Sequence, residues 1–161
     1  MQTMNNNIDT IWKPHVTVAA VVERDGKFLM VEEVAETSQG RAFNQPAGHL
    51  EPDEDLVSAM IRETLEETAW EVEPISLIGV YRWPNPATDV TYLRFAFSAR
   101  AIRHHDDRPL DTGIIAAHWL TIDNITRNRP LHRGPQVMQC LNDYRNNEAL
   151  PLTALKELDA S

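Results

Sequence analysis

A run of charged residues near the middle of the chain has a spacing suited to metal and phosphate chemistry. Six residues carry the pattern, in the order Gly48, Glu54, Arg62, Glu63, Glu66 and Glu67. Carboxylate oxygens are ligands that Mg²⁺ prefers, and the ion completes its octahedron with waters and phosphate oxygens. The pattern therefore predicts a metal-dependent attack on a phosphate.

A helix over Leu56–Thr68 would bring three of these carboxylates together. At about 100° per residue, Glu63, Glu66 and Glu67 fall within an arc of roughly 100°. Asp53 is the predicted N-cap. The apolar side should anchor the helix to a sheet, and it comprises Val57, Ile61, Leu65 and Thr68.

Glu54 cannot join the cluster from the same unbroken helix. It lies nine residues before Glu63 and would point away from it, so it must act from the loop or the first turn. Gly48 and Pro52 are suited to shaping that loop.

The simpler interpretation of these glutamates is a solvated acidic helix face, which accounts for most Glu-rich helices. The additional Gly48, Glu54 and Arg62 at their spacings favour a site instead. Glu63 and Glu67 are also a like-charge i,i+4 pair, which destabilises an isolated helix by a few tenths of a kcal/mol. A bound cation would offset that repulsion.

Length and composition indicate one globular domain over residues 1–161. Hydrophobic residues make up 42% of the chain and charged residues 24%. The net charge of −9 argues against general binding to nucleic acid or to an anionic membrane. The single cysteine, the lack of a long apolar run and the lack of a secretory signal favour a cytoplasmic protein.

Hydrophobic periodicity predicts a mixed sheet with one helix inserted in mid-chain and another near the end. Residues 1–10 are expected to form a mobile tail and residues 12–155 the core. The predicted strands and helices other than Leu56–Thr68 are His15–Val22, Lys27–Val34, Ile75–Trp83, Val90–Ile102, Ile114–Leu120, Ile122–Arg127 and Pro135–Asn146.

At the charged run, the sequence resembles the Nudix hydrolase family. The family signature is G-x5-E-x7-R-E-U-x-E-E-x-G-U, with U a bulky apolar residue, and all six residues of the run match it. Two positions depart, since Thr64 replaces an apolar residue and Ala69 replaces the second glycine. Other segments, including FNQPAGHLE and YLRFAF, are similar to a subfamily of bacterial phosphatases, NudJ.

The resemblance implies an α/β/α sandwich around a mixed sheet, with the signature as a loop–helix–loop. It also implies magnesium-dependent hydrolysis of nucleoside di- and triphosphates or thiamin-precursor-type pyrophosphates, with release of phosphate. Mn²⁺ is expected as a substitute ion. The expected partner is a small phosphoanhydride substrate, and the protein is expected to be a monomer or a homodimer.

Geometry and resemblance together suggest the roles of the signature residues. Glu63 and Glu67 are the expected metal ligands, joined by Glu66 and by the Gly48 carbonyl. Arg62 would orient a glutamate while Glu54 supports the site from the loop.

The general base stays open between Glu66 and an acid outside the signature. No acid directly precedes Trp119, where some family members carry the base. The nearest candidates are Asp106, Asp107 and Asp111.

Four further residues are candidates for substrate binding. Arg41 and Arg94 could hold phosphate, although each is equally well explained as a surface cation. Trp83 and Tyr92 could stack a base, although aromatic residues in strands more often belong to the core.

Two other functions have to be weighed against hydrolysis. A Nudix-fold module that binds a nucleotide without turnover is disfavoured, because such a module would be expected to lose signature glutamates. An isomerase of prenyl diphosphates would need a cysteine near the site, whereas Cys140 lies far downstream with the spacing of a core residue.

Overall fold

Residues 11–158 are described by a computed structural model, and its centre is a mixed sheet of eight strands. The predicted tail at 1–10 lies outside the described residues. The main strand order is β3-β2-β1-β6-β5-β8, with β4 paired to β1 and β7 to β2. The strands are β1 His15–Arg24, β2 Lys27–Val34, β3 Arg41–Asn44, β4 Ala47–His49, β5 Trp70–Asn85, β6 Val90–His104, β7 Ile114–Thr121 and β8 Leu150–Pro151.

The centre of the sheet is the parallel pair β1 and β6, in which Thr17 lies opposite Arg94. The other pairings are antiparallel. A strand buried on both faces reads as a continuous apolar run, and residues 17–22 of β1 are all buried. Because successive side chains alternate, Ala20 and Val22 enter one core cluster while Val21 enters the other.

Helices cover both faces of the sheet. α1 Leu56–Thr68 packs on one face, where Met60 and Phe97 are fully buried. α2 Ile122–Arg127 and α3 Gln136–Arg145 pack on the other, and two short 3₁₀ turns follow them. This arrangement confirms the predicted α/β/α architecture. Within the described residues no helix is long and apolar enough to cross a membrane.

The N-cap of α1 is Asp55, so the prediction of Asp53 was wrong. The Asp55 side chain accepts hydrogen bonds from the backbone amides of Val57 and Ser58, at 2.9 and 2.8 Å. Asp53 instead takes a left-handed turn conformation, with φ of 65°, two residues earlier. Either aspartate can cap a helix, and the tight turn before α1 decides between them.

The buried face of α1 is rotated from the predicted one. Ala59, Met60, Thr64 and Thr68 are its buried core residues, whereas Leu65 is only partly buried. Thr64, which replaces an apolar residue of the signature, is fully buried, and its hydroxyl donates a 2.8 Å hydrogen bond to the Met60 carbonyl. Small residues lie at the contact between α1 and the sheet. A prediction based on large apolar residues does not identify them.

Four predicted strands are longer in the structure, namely β1, β5, β6 and β7, and β5 gains the most residues. The predicted strand Ile75–Trp83 is the middle of β5, which starts at Trp70. The predicted strand Val90–Ile102 extends to His104 as β6. The added residues pair Glu71 with Arg103 and Glu73 with Arg100 across the exposed ends. Because these added residues are charged, hydrophobic periodicity did not predict that they belong to the strands. The Lys27–Val34 strand and the Ile122–Arg127 helix have the predicted bounds.

Candidate active site

Arg62 is the hub of the signature residues. Its guanidinium holds Glu54 through two hydrogen bonds, from Nη2 at 2.6 Å and from Nε at 3.0 Å, one to each carboxylate oxygen. It also donates to Glu63 at 2.8 Å and to Glu66 at 3.1 Å. The planar fork of arginine is suited to joining several carboxylates at once. Glu54 thus reaches the cluster from the loop before α1, as the sequence predicted.

Glu67 is the most deeply buried carboxylate of the signature. It is 7% exposed, and its Oε2 accepts a 2.8 Å hydrogen bond from the Ala47 backbone amide. Burial raises the pKa of Glu67 to about 8, and the nearby charges of Glu33, Glu63 and Asp111 act in the same direction. Burial also raises the pKa of Glu63. Such crowding of carboxylates is unfavourable unless a proton or a cation neutralises it.

Gly48 places backbone directly against Glu63. A Cβ atom at position 48 would overlap the Glu63 carboxyl group. Gly48 lies in β4, which pairs with Thr17–Ala19 of β1, and the backbone there cannot easily move aside. The glycine therefore leaves room for the carboxylate between β4 and α1.

The donor set fits a divalent metal ion. Several carboxylates crowd around one backbone cradle, and the Glu33 Oε1 atom is buried without a hydrogen-bond partner among residues 11–158. No three acidic, histidine or cysteine side chains in that part of the chain converge as a finished metal cage. The Arg62 guanidinium lies between Glu63 and Glu66, so a metal would compete with it for their oxygens.

Of the three aspartates proposed as a base, Asp111 is the one whose charge acts on the signature glutamates. Its charge acts on Glu63 and Glu67, and its backbone amide donates a 2.9 Å hydrogen bond to the Glu66 carbonyl. Asp106 instead pairs with His104 at 2.6 Å in a different cleft. Of the three aspartates considered, the structure brings Asp111 to the site.

A cleft of about 220 Å³ opens beside the carboxylates. Gly48, Glu33 and Arg94 line it, and the charges of Glu33 and Glu67 act on Arg94. The aromatic residues Trp83 and Tyr92 line it as well. The remaining residues that line it are Thr17, Asn44, Ala47, His49, Tyr81, Asn85, Arg133 and Gln136. The cleft thus connects an acidic end with an aromatic end.

Three of the four predicted substrate-binding residues line this cleft. Trp83 and Tyr92 stack on each other, with ring centroids 5.7 Å apart and planes 22° apart. Arg94 is 7% exposed, and it donates to Asn44 and Gln45, each at 3.3 Å. Arg94 is therefore a buried cation whose position is fixed by hydrogen bonds, and not a surface cation.

Arg41 is not among the residues that line the cleft. Its guanidinium forms a 2.7 Å ion pair with Glu32 on the neighbouring strand, and nearly half of the side chain is exposed. The interpretation as a surface cation fits this position, and the predicted phosphate contact does not. Arg133, which reaches to 3.7 Å from Glu33, brings a cation to the cleft instead.

The sequence did not single out Glu33, Asn44, Arg133 or Gln136. Glu33 had a visible signal, because it and Glu32 interrupt an apolar strand. The others are brought in by contacts between distant segments, such as the 2.9 Å bond from the Arg133 amide to the Phe43 carbonyl. Cys140 is fully buried as predicted, and burial raises the pKa of its thiol to about 11.

Comparisons with known proteins identify the family. The NUDIX domain family model matches residues 13–138. Phosphatase NudJ of Escherichia coli (strain K12) is 38% identical over 150 residues, which cover 92% of this chain and 95% of that protein. Phosphatase NudJ of Shigella sonnei (strain Ss046) has the same identity and coverage.

Solved structures share the fold. A NUDIX hydrolase from Nitrosomonas europaea has a TM-score of 0.89 and 47% identity, covering 92% of this chain and 100% of that one. A bifunctional NMN adenylyltransferase/ADP ribose pyrophosphatase from Francisella tularensis, complexed with AMP and Mn ion, has a TM-score of 0.68 and 19% identity. It covers 86% of this chain and 43% of that one, and the low identity makes this a likeness of fold alone. The extent of the family match and of the identity shows that the chain belongs to the Nudix family, as a hydrolase of phosphoanhydride bonds.

Proposed function

We propose that this hydrolase uses Mg²⁺, with Mn²⁺ as a substitute, to release phosphate from nucleoside di- or triphosphates or from thiamin-precursor-type pyrophosphates. The observation that carries the proposal is the cleft lined by Ala47, Gly48, Arg94 and Trp83. Gly48 lies against the Glu63 carboxyl group, and the Ala47 amide donates to Glu67. The name of the NudJ relatives, phosphatase, supports orthophosphate as the product.

Glu63, Glu67 and Glu66 would hold the metal ion, with the Gly48 carbonyl as a further ligand. When bound, the ion would neutralise phosphate charge and make water more acidic. Glu67 fits this role because its burial and its crowded negative charge favour a partner of opposite sign. Arg62 and Glu54 act as positioning residues, since their ion pair fixes the side of α1 from which Glu63 and Glu66 project.

In the reaction, a water oxygen forms a bond to the terminal phosphorus while the bond from that phosphorus to the bridging oxygen breaks. The bridging oxygen leaves with the rest of the substrate, and the water gives up one proton. Glu66 and Asp111 are the two candidate acceptors of that proton. Glu66 is on the helix face with the metal ligands, and Asp111 lies across from them.

Substrate would be held from both ends of the cleft. Arg94 supplies a buried positive charge for phosphate, and hydrogen bonds to Asn44 and Gln45 fix its direction. Trp83 and Tyr92 supply the flat apolar surface against which a heterocycle can stack.

The decisive experiment replaces Glu67 by Gln and follows phosphate release with a panel of nucleotides and thiamin-type pyrophosphates. We expect a loss of at least about 100-fold with retained fold, because the change removes the charge and keeps the shape. Glu36→Gln, on an exposed residue, is the matched control and should keep wild-type activity. Chelation by EDTA should abolish activity, and added Mg²⁺ should restore it.

Full activity of Glu67→Gln would refute the assignment of Glu67 as a ligand. Nucleotide binding by the wild type without turnover, with Mg²⁺ or Mn²⁺, would instead establish the binding-module alternative. Release of pyrophosphate in place of orthophosphate would correct the proposed product.

A further inference from the structure

Gln136 is a buried polar residue whose acceptor atom has no partner. It is the first residue of α3, is 6% exposed, and lines the cleft. Its Oε1 atom accepts no hydrogen bond from any group in the part of the chain that the structure describes. An unsatisfied buried acceptor destabilises a protein by about 1–3 kcal/mol, so a ligand that satisfies it gains an interaction.

The Gln136 carboxamide lies beside the Trp83 ring. Both pack above Gly134, where a Cβ atom would overlap the carboxamide and lie 2.8 Å from the indole. The missing side chain at Gly134 thus lets the amide and the indole share one space. A planar ring stacked on Trp83 would therefore bring one of its edges within reach of Gln136.

The neighbouring amides of the cleft are already engaged. Asn44 and Gln45 both accept from the Arg94 guanidinium, and the Gln45 amide nitrogen donates to the Val137 carbonyl at 2.7 Å. Gln136 does not share in that network. It is consequently suited to a ligand, whereas the other two amides fix the direction of Arg94.

We propose that Gln136 is a specificity-determining residue, whose Oε1 atom accepts a hydrogen bond from an amino group on a nitrogen heterocycle stacked against Trp83. The hydrolase would then prefer diphosphates of amino-bearing heterocycles over those whose ring carries no N–H donor. This inference rests on the proposed function, because it assigns the aromatic end of the same cleft to the heterocycle.

The test compares ADP with purine riboside 5′-diphosphate, which has the same ring system and phosphates but no amino group. With the wild type and Mg²⁺, we expect kcat/KM to be about 10-fold higher for ADP, mainly through KM, as for one neutral hydrogen bond. Gln136→Met keeps the length and removes the acceptor, and it should bring the ratio to within about 2-fold of unity. Gln139→Met, on the exposed side of the same helix, should keep the wild-type ratio.

Gly134→Ala provides an independent perturbation, because it displaces the carboxamide and the indole without removing either. Gly134→Ala should also lower the ratio of kcat/KM for ADP to kcat/KM for purine riboside 5′-diphosphate. A wild-type ratio near unity, or an unchanged ratio in Gln136→Met, would overturn the inference.

Two additional measurements separate this inference from the proposed function. Hydrolysis of an alkyl diphosphate, which has no heterocycle, tests phosphoanhydride cleavage without any contact to Gln136. Dissociation constants of the two nucleotides, measured by calorimetry on wild type and Gln136→Met, give the same ratio without turnover. Absence of hydrolysis with a preserved binding ratio would refute the proposed hydrolytic function and support the role of Gln136 in specificity.

Discussion

The Ala47 backbone amide donates a 2.8 Å hydrogen bond to the Glu67 carboxylate, which joins the loop side of the signature to the helix side. The bond gives Glu67 one partner, yet burial still raises the pKa of this carboxyl to about 8. The residue is thus held in place before any cation binds.

Stability without metal should fall as pH rises through the range set by Glu67. A carboxyl whose pKa is raised in the folded state binds more protons there than in the unfolded chain, so unfolding becomes easier between about pH 4.5 and 8. We expect the metal-free wild type to lose a few kcal/mol of unfolding free energy over that range. Urea unfolding at several pH values, in EDTA, measures the slope.

Glu67→Gln removes that titration and should flatten the dependence on pH. Addition of Mg²⁺ to the wild type should flatten it too, because the cation favours the charged form. A metal-free wild type that is as stable at pH 8 as at pH 5 would contradict the argument.

Gly48→Ala should destabilise the protein by about 1–3 kcal/mol, because the new methyl group overlaps the Glu63 carboxyl. In a Glu63→Ala background the same change should cost less than about 0.5 kcal/mol, because the overlap no longer exists. Urea unfolding of the four proteins completes the cycle. Equal costs in both backgrounds would show that Glu63 is not what position 48 accommodates.

Ala69→Gly should lower the free energy of unfolding by about 1–2 kcal/mol less than Ala59→Gly does. Both alanines are buried, so both variants lose a similar methyl group and gain similar unfolded-state freedom. Only Ala69 is left-handed, with φ of 59°, and glycine relieves that strain. Thermal or urea unfolding of the pair measures the difference, and equal losses would argue against strain at this end of the helix.

Trp83→Ala should raise KM for ADP by about 10-fold, since stacking of a base on an aromatic ring contributes about 1–3 kcal/mol. Trp12→Ala, at an exposed tryptophan that does not line the cleft, is the control and should leave KM unchanged. Hydrolysis of an alkyl diphosphate by Trp83→Ala should change far less than that of ADP. An unchanged KM for ADP would place the heterocycle elsewhere.

The sequence predicted the parts of the fold that local chemistry determines. The Leu56–Thr68 helix and the Lys27–Val34 strand have the predicted bounds, because apolar periodicity and turn residues frame both. The start of β5 at Trp70 was missed, since Glu71 and Glu73 break its apolar pattern and their arginine partners lie on β6. Cross-strand ion pairs of this kind cannot be predicted from local sequence, because the partner residue lies on a different strand.

The candidate site divides in the same way. The signature glutamates lie close together in sequence, so helix geometry alone groups them. Arg133 and Gln136 reach the cleft because the segment before α3 pairs with β3 through a parallel bridge, a contact between distant parts of the chain. Arg41 shows the opposite case, in which a basic residue near the signature in sequence turns away from it to pair with Glu32.

The parallel pairing of β1 with β6 has a consequence for how the molecule folds. Thr17 must meet Arg94, and the whole signature with α1 lies in the loop of chain between them. Closing so long a loop loses chain entropy before its contacts form, and such topologies fold slowly. We therefore expect the central strand pair to form late, and the signature carboxylates to acquire their burial only when it does.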